Sequence, residues 1–357
     1  MHSNELDATM PKLKLIFLLF IIVLSGCSKM IPDYESRPLS QEKRERIQSA
    51  DSFFDLLKLT ETIELDLDYE LWPFRDFIIG EKYIIGIIAT SNMRAYAWHR
   101  KSGRFLGELA PNGKGPGEAI NVMSAVFIND STALLFDIGL SRASLFRLTP
   151  EGFSFDDVID MKAWSTGAID YAWKKDGRIY LFARSGGVGT HRVIILDHLL
   201  TPIKQCFPRK HNSFAMFEVF VISGDKIFMS GELYHKSMKQ IKRDSWKVEG
   251  GGKILVSDCD GNLIGRIDLP FEDLILNMIP DRENETFFMD VFEQGKIIVD
   301  GNGRILKKLD DRLDTDRFPW LETSLRTTIP RGELIYVDRG QHGKLILRVF
   351  EYSGGKE

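Results

Sequence analysis

The chain has 357 residues, 43% of them hydrophobic, and a formal net charge of −4. This length and hydrophobic content suffice for a substantial core in one large domain or two ordinary ones. The small net charge and the lack of a long single-sign block argue against a nucleic-acid-binding surface, so no nucleic acid partner is expected.

The first 26 residues are predicted to be a lipoprotein signal peptide. Lys12 and Lys14 precede an apolar stretch, residues 15–24, which is too short for a membrane-spanning helix of about 20 residues. The run Leu24-Ser25-Gly26-Cys27 resembles a bacterial lipobox. In such a motif the cysteine is lipidated and becomes the new N-terminus. Cys27 is therefore the predicted lipidation site and the membrane a predicted partner; an ordinary signal peptide with a chance cysteine is the alternative.

Residues 27–59 are predicted to form a tether and a short helix. Residues 28–51 are polar and charged, which is typical of a segment linking lipid to a domain. Over residues 41–59 the apolar side chains Ile47, Phe53 and Phe54 share one stripe at helical spacing. The sequence predicts a short amphipathic helix there.

From residue 60 onward, short runs of β-branched and aromatic residues bounded by Gly, Asp, Asn or Pro predict strands. Six times, at a spacing of about 50 residues, such a run meets a short turn and resumes as a second apolar run. The turns are at residues 101–103, 150–152, 199–201, 260–262, 301–303 and 353–355. Repeated units of this size cannot bury a face alone, so they must pack against one another.

Each repeat is predicted to hold about four strands. In the second repeat they are residues 122–128, 132–137, 143–148 and 153–159, and the third and fifth repeats follow the same pattern. Six units of four antiparallel strands predict an all-β fold, a six-bladed β-propeller over residues 60–357. The fourth repeat is longer, and its excess, residues 232–251, is predicted to be a loop on one face.

The sixth repeat ends without an outermost strand. Residues 62–68 alternate with a period of two and belong to no complete repeat. We therefore predict that this N-terminal strand completes the last blade, which closes the ring and removes an exposed sheet edge.

The most unusual local run is Pro111-Asn112-Gly113-Lys114-Gly115-Pro116-Gly117-Glu118. It links the first blade to the inner strand of the second, on the face where such connections approach the central channel. It is not a phosphate-binding loop, because no Gly-Lys-Ser/Thr follows and no helix begins there. Two interpretations stay open: a rigid turn in which Glu118 caps backbone amides, or a loop whose Lys114 or Glu118 faces a ligand.

The Gly-x-Gly-Pro-Gly-Glu motif formed by Gly113 to Glu118, behind a lipobox and within six repeats, resembles the TolB-like six-bladed β-propeller lipoproteins of Bacteroidetes. The resemblance covers nearly all of the mature chain, and the short motif is its sharpest element. It implies a propeller fold and lipid anchoring in the bacterial cell envelope, at the outer membrane, on either its periplasmic or its surface face. It implies no catalytic residues.

The sequence contains no standard catalytic, metal-binding or cofactor-binding set, and none is predicted. The histidines are scattered singly, and no Gly-x-Ser-x-Gly nucleophile elbow occurs. The acidic turn at residues 258–262 lacks the later Glu of an EF-hand loop. Cys206 and Cys259 are too few for a disulfide framework and are predicted to be thiols, with a bond between them as the alternative.

Arginines recur on the connections that lead into the inner strands. Arg75, Arg282 and Arg317, together with Lys114 and Glu118, are the candidate ligand-facing residues. Guanidinium groups bind carboxylates and phosphates through two parallel hydrogen bonds, so these residues could contact an anionic ligand. The alternative interpretation is that they are ordinary surface charges.

Two functions stay open on this sequence. The first is a membrane-anchored module that binds an anionic or carbohydrate ligand or an envelope protein. The second is a propeller enzyme, a hydrolase or lyase, acting on an anionic or carbohydrate substrate at the central channel. No recognisable catalytic set supports the second, so the binding module is the leading hypothesis.

Overall fold

The structure, a computed structural model, describes residues 32–66, 74–88, 92–164, 168–184, 191–206, 214–234, 252–271, 273, 275–281, 283–291, 294–309, 325–329, 333–339 and 344–352. The predicted signal peptide, Cys27, most of the residue 232–251 insertion and the last turn at residues 353–355 lie outside these ranges. Within them, no helix is both long and apolar enough to span a membrane.

The described residues form one α-helix, two 3₁₀-helices and 24 strands. The helix is α1 (Gln41–Ser49), and the 3₁₀-helices are Phe53–Leu56 and Met161–Trp164. The strands are β1 (Leu57–Asp66), β2 (Phe74–Ile79), β3 (Tyr83–Ile88), β4 (Ala95–His99), β5 (Phe105–Glu108), β6 (Val122–Asn129), β7 (Thr132–Asp137), β8 (Arg142–Thr149), β9 (Gly152–Asp160), β10 (Ala168–Lys175), β11 (Arg178–Arg184), β12 (His191–Leu196), β13 (Pro202–Cys206), β14 (Phe214–Ser223), β15 (Lys226–Tyr234), β16 (Lys253–Asp258), β17 (Leu263–Asp268), β18 (Ile275–Pro280), β19 (Thr286–Val291), β20 (Gly295–Asp300), β21 (Ile305–Leu309), β22 (Leu325–Ile329), β23 (Glu333–Arg339) and β24 (Lys344–Tyr352).

These strands form six four-stranded antiparallel sheets, which confirms the predicted six-bladed β-propeller. Blades 1 to 5 are β2–β5, β6–β9, β10–β13, β14–β17 and β18–β21, each in sequence order from the channel outward. Blade 6 has the order β22, β23, β24, β1. The N-terminal strand therefore supplies the outer strand of the last blade, as the sequence predicted.

The closing strand begins earlier than the sequence indicated. Leu57 already pairs with Tyr352, and the pairing runs to Asp66 opposite Lys344, with a bulge between Leu59 and Glu61. The edge of β24 is nine residues long, so β24 pairs with residues 57–61 in addition to the part of the strand that the sequence predicted. The inner strand of blade 1, β2, was not predicted from the sequence at all.

The hydrophobic core is divided among the six interfaces between neighbouring blades. Each buried cluster combines side chains of two adjacent blades. At the junction of blades 6 and 1, Ile63 and Leu65 of β1 pack with Trp98 of blade 1 and Val337 of blade 6. A single blade buries little alone, so stability depends on the closed ring.

The repeated turn glycines have a packing reason. Gly103 and Gly303 stand at φ 67° and 80°, in the left-handed region that favours glycine. A Cβ atom on Gly103 would lie 2.0 Å from the carbonyl oxygen of Glu64, and one on Gly303 equally close to that of Asp268. Each turn therefore presses against the outer strand of the preceding blade. Leu200 takes the corresponding place in blade 3 with φ 64°.

The segment before β1 lies along the propeller instead of standing away from it. Tyr34 donates its backbone N–H to the Arg266 carbonyl at 2.7 Å, so the chain pairs in parallel with β17 of blade 4. Further on, Ile47 of α1 is fully buried, and the Phe53 ring stacks on Phe288 of blade 5 at 3.5 Å. An α-helix is present over Gln41–Ser49, whereas Phe53 and Phe54 belong to a 3₁₀-helix and residues 57–59 to β1. The described part of the segment before β1 packs against blades 4 to 6.

Candidate ligand-binding site at the channel mouth

Two opposite faces of the propeller follow from the strand order. The innermost strand of each blade borders the channel and is entered from the preceding blade, so its N-terminal end lies at the face we call the mouth face. Its other end leads into a tight turn, at the face we call the hairpin face. The turns after the third strands also belong to the hairpin face, because antiparallel strands alternate in direction.

Five of the six inner strands carry a β-bulge at the same place near the mouth face. Pairing shifts between residues 74 and 76, 122 and 124, 169 and 171, 217 and 219, and 275 and 277. The extra residues are Arg75, Met123, Asp170, Glu218 and Leu276. The described part of β22 pairs regularly. Bulges redirect side chains and are frequent beside functional sites.

A polar group forms where the bulges of blades 1 to 3 meet; we call Arg75, Asp76, Met123, Asp170 and Tyr171 the mouth cluster. The Arg75 Nη1 lies 2.8 Å from the Met123 Sδ and 3.4 Å from the Met93 Sδ. The Arg75 guanidinium is also close enough to Tyr171 to lower the pKa of its phenol. Thioether sulfur is a weak acceptor, so this half-buried guanidinium is held mainly by weak partners.

Charged groups of blade 1 are close enough to Tyr171 of blade 3 to affect its pKa. Burial is the largest cause that raises the pKa of Tyr171, and the nearby Asp76 and Asp170 carboxylates add to it, while Arg75 partly opposes them. The phenol therefore stays protonated through the neutral range and can donate a hydrogen bond. Asp170 itself is only 8% exposed at its bulge.

A narrow cavity continues from the mouth cluster between blades 1, 2 and 3. It has a volume of about 40 Å³ and is lined by Asp76, Ser124, Tyr171, Trp173 and Lys174 together with apolar neighbours. The buried Trp173 Nε1 has no hydrogen-bond partner among the described residues. A cavity of this volume accommodates water and not a larger molecule, so any larger ligand must sit at the mouth.

A further buried polar atom lies on the other side of the ring. Asn277 of blade 5 occupies the position directly after its bulge, equivalent to Asp76 of blade 1 and Tyr171 of blade 3. Asn277 is 5% exposed, and its Oδ1 has no partner among the described residues. A buried acceptor without a hydrogen-bond partner lowers the stability of the folded state. The positions directly after the bulges are therefore the best candidate ligand-binding site among the described residues.

The predicted ligand-facing residues are only partly brought together. Arg75 lies in the mouth cluster, whereas Arg282 and Arg317 lie outside the described residues. Exposed Lys114 and half-buried Glu118 belong to a loop that packs against blade 2, where Gly117 meets the Phe155 ring. Their ligand-facing role stays a prediction.

The glycine-rich loop is built as a rigid turn. Gly115 donates its backbone N–H to the Glu118 carboxylate at 2.6 Å, and a Cβ on Gly113 would lie 2.0 Å from that carboxylate. The Arg142 guanidinium donates to the carbonyl oxygens of Lys114, Gly115 and Glu118. These contacts explain Gly113 and Gly115 by close packing around one carboxylate, whereas Gly117 has φ 75° and lies against the Phe155 ring.

Asp76, Asp170, Tyr171 and Asn277 were missed in the sequence, although one signal marks them. Buried residues in these strands are three apart, as at Phe74 and Phe77, where a regular strand would place them two apart. This break of the period-two pattern is the trace of a bulge.

No group of three or more His, Cys, Asp or Glu side chains that could hold a metal ion occurs among the residues described. Cys206 and Cys259 are both free thiols. The mouth cluster thus offers hydrogen bonds, one cation and two carboxylates, and it supplies no geometry that favours the enzyme alternative.

Comparison with known proteins adds information on the fold. No family model matches the chain, and no curated protein sequence matches it either. Among solved structures, it is similar to a protein of Bacteroides fragilis NCTC 9343 named as a candidate exported protein, with a TM-score of 0.52 and 12% identity. That similarity covers 89% of this chain and 98% of the other.

A second similar structure is a member of the DUF4221 family from Bacteroides vulgatus, with a TM-score of 0.46 and 11% identity over 83% of this chain and 97% of that one. At such identities the likeness concerns the fold alone.

Proposed function

We propose that this chain is a lipoprotein of a bacterial cell envelope, anchored through Cys27 in the outer membrane, whose propeller binds an anionic carbohydrate at the mouth of its channel. The observation that carries the binding role is the row of bulges that gathers Arg75, Asp76, Asp170 and Tyr171 beside unpaired buried polar atoms.

Three observations support the location. The lipobox-like run ends at Cys27, and the motif of residues 113–118 resembles that of TolB-like envelope lipoproteins. The similar B. fragilis protein is named as a candidate exported protein. Two lipid chains or more on Cys27 would hold the protein firmly on a membrane.

The choice of an anionic carbohydrate follows from the chemistry of the mouth cluster. The Arg75 guanidinium is held by two sulfur atoms, and a carboxylate would be a far stronger acceptor for it. The half-buried Asp76 can accept hydrogen bonds from sugar hydroxyl groups, and the Tyr171 ring offers an apolar face. A sugar that carries a carboxylate uses all of these groups at once.

Lipid anchoring is tested by replacing Cys27 with Ser. We expect Cys27→Ser to move the protein from the membrane to the soluble fraction and to abolish incorporation of radiolabelled palmitate. The matched control is Cys259→Ser, which removes a thiol and should leave both properties unchanged. Membrane retention of Cys27→Ser would contradict the anchoring.

Ligand binding is tested by calorimetric titration of the wild-type protein with a galacturonic acid oligosaccharide and its neutral galactose counterpart. We expect binding of the acidic sugar only. Arg75→Gln should weaken it by about 10- to 100-fold, since a hydrogen bond to a charged group contributes roughly 1.5–3 kcal/mol.

The control for this titration is Arg104→Gln, an exposed arginine of the same blade on the hairpin face, which should bind like the wild type. Equal affinity for the two sugars, or an equal loss in both arginine variants, would overturn the assignment of Arg75 as the carboxylate ligand.

A further inference from the structure

The path of the N-terminal segment determines where a lipid on Cys27 can lie. Pro32 accepts a hydrogen bond from the Arg266 N–H at 3.0 Å, which fixes the start of the described chain on the outer strand of blade 4. Cys27 is only five residues before Pro32. Five residues span at most about 18 Å when fully extended, so the lipid must enter the membrane close to this edge.

The contacts of this segment are at the hairpin face. Tyr34 lies beside Asp225 and Lys226, which form the turn after the inner strand of blade 4. Ser36 hydrogen-bonds Asn302 in a hairpin turn of blade 5, and Lys43 binds Asp281 at the end of the inner strand of that blade. Because residues 32–34 pair in parallel with β17, which starts at the hairpin face, the chain before Pro32 runs back toward that face.

A second, independent observation concerns the exposed apolar side chains. Of the seven large hydrophobic residues that are exposed in the described structure, all lie on outer strands or in a turn leading to one. Five are in the first three residues of an outer strand or in the turn before it, in blades 3 to 6: Leu59, Leu199, Ile203, Ile264 and Ile305. Leu199 is 71% exposed and Ile203 54%.

The exposed apolar side chains and the start of the N-terminal segment lie on the same part of the propeller. Ile264 is two residues before Arg266, at the edge where the chain enters, and blade 3 with Leu199 is next to blade 4. Apolar side chains next to an anchor point match an interfacial membrane contact, where burying them in the headgroup region is favourable.

We propose that the rim of the hairpin face at blades 3 to 5 rests on the membrane that carries the anchor, and that the mouth cluster points away from the lipid. This orientation rests on the proposed lipidation of Cys27. From the bulge at Met123 to the end of β6 the strand extends about 20 Å, so the mouth stays beyond the membrane surface. The site is thereby open to ligands in the aqueous compartment.

The orientation can be tested by fluorescence quenching on the lipidated full-length protein in phosphatidylethanolamine vesicles with a headgroup-attached nitroxide quencher. One dye is placed at Leu199→Cys on the hairpin rim, and another at Asn92→Cys, an exposed residue beside Met93 on the mouth face. Both variants carry Cys206→Ala and Cys259→Ala, so that each has a single free thiol.

We expect the dye at position 199 to be quenched several-fold more than the dye at position 92. Equal or reversed quenching in protein that floats with the vesicles would overturn the orientation while leaving the anchoring intact. Protein that fails to float would overturn the anchoring, and the orientation with it.

A second variant tests the role of the short spacing. Inserting about 20 Gly and Ser residues after Cys27 adds a flexible chain with a typical end-to-end distance of about 25 Å. The quenching ratio should then fall toward one. An unchanged ratio would contradict the role of the short connection in orienting the propeller.

Discussion

Replacing Ile63 and Leu65 together by alanine is expected to lower the free energy of unfolding by roughly 4–8 kcal/mol, a large part of the stability of a typical domain. The two side chains are 4% and 0% exposed and pack between blades 6 and 1. They hold β1 in place, and β1 closes the ring by pairing with β24. Chemical denaturation followed by tryptophan fluorescence measures the loss.

The control for the closure variant lies on the same strand. Thr62 and Glu64 alternate with the buried pair and point to the exposed side, so Thr62→Ala with Glu64→Ala should change stability by no more than about 0.5 kcal/mol each. Equal denaturation midpoints for the two double variants would contradict the closure of the ring by this strand.

Lys43→Met is expected to cost about 3 kcal/mol of folding free energy. The Lys43 Nζ lies 2.7 Å from Asp281 and 3.0 Å from Glu285, and the side chains of Lys43 and Asp281 are 8% and 0% exposed. Removing one partner of a buried ion pair leaves an uncompensated charge, which typically costs about 3–5 kcal/mol. Since Glu285 is partly exposed, we expect a loss at the lower end of this energy range.

The control is Arg44→Met, which removes an exposed cation from the same helix and should cost little. Hydrogen exchange should accelerate over residues 41–56 in the Lys43 variant alone. Equal exchange rates in both variants would show that the ion pair does not hold the segment on blade 5.

The same ion pair makes the folding stability depend on pH. Burial alone would lower the pKa of Lys43, but the Asp281 and Glu285 carboxylates outweigh it and raise the pKa above the ordinary value of 10.5. The folded state therefore binds this proton more tightly, and the contribution to stability is complete below pH 10.5. It is lost as the pH rises through the higher folded value, so the difference between wild type and Lys43→Met should shrink only in strongly alkaline buffer.

Most of the fold followed from local patterns. The strands of blade 2 match the predicted ranges to within one residue at each end, because alternating apolar residues and Gly or Asp turns are readable locally. The spare N-terminal strand was also predicted, since blade 6 lacked its outer strand. The inner strand β2 was missed because Arg75 and Asp76 interrupt its apolar pattern.

The candidate site was much less predictable. Arg75 was singled out as a cation on a connection, yet its neighbour Tyr171 is about 95 residues away in sequence and meets it only through blade packing. Lys114 and Glu118 attracted interest through their unusual glycines, and the structure places them in a tightly packed turn over blade 2.

By itself the sequence determined the repeat, the number of blades and the strand that closes the ring, because these depend on hydrophobic periodicity and turn residues within short stretches. Tertiary structure alone decided which side chains gather at the channel mouth and where the N-terminal segment leaves the propeller. Both depend on non-local contacts: bulges aligned across neighbouring blades, and a buried Lys43 that pairs with carboxylates about 240 residues away.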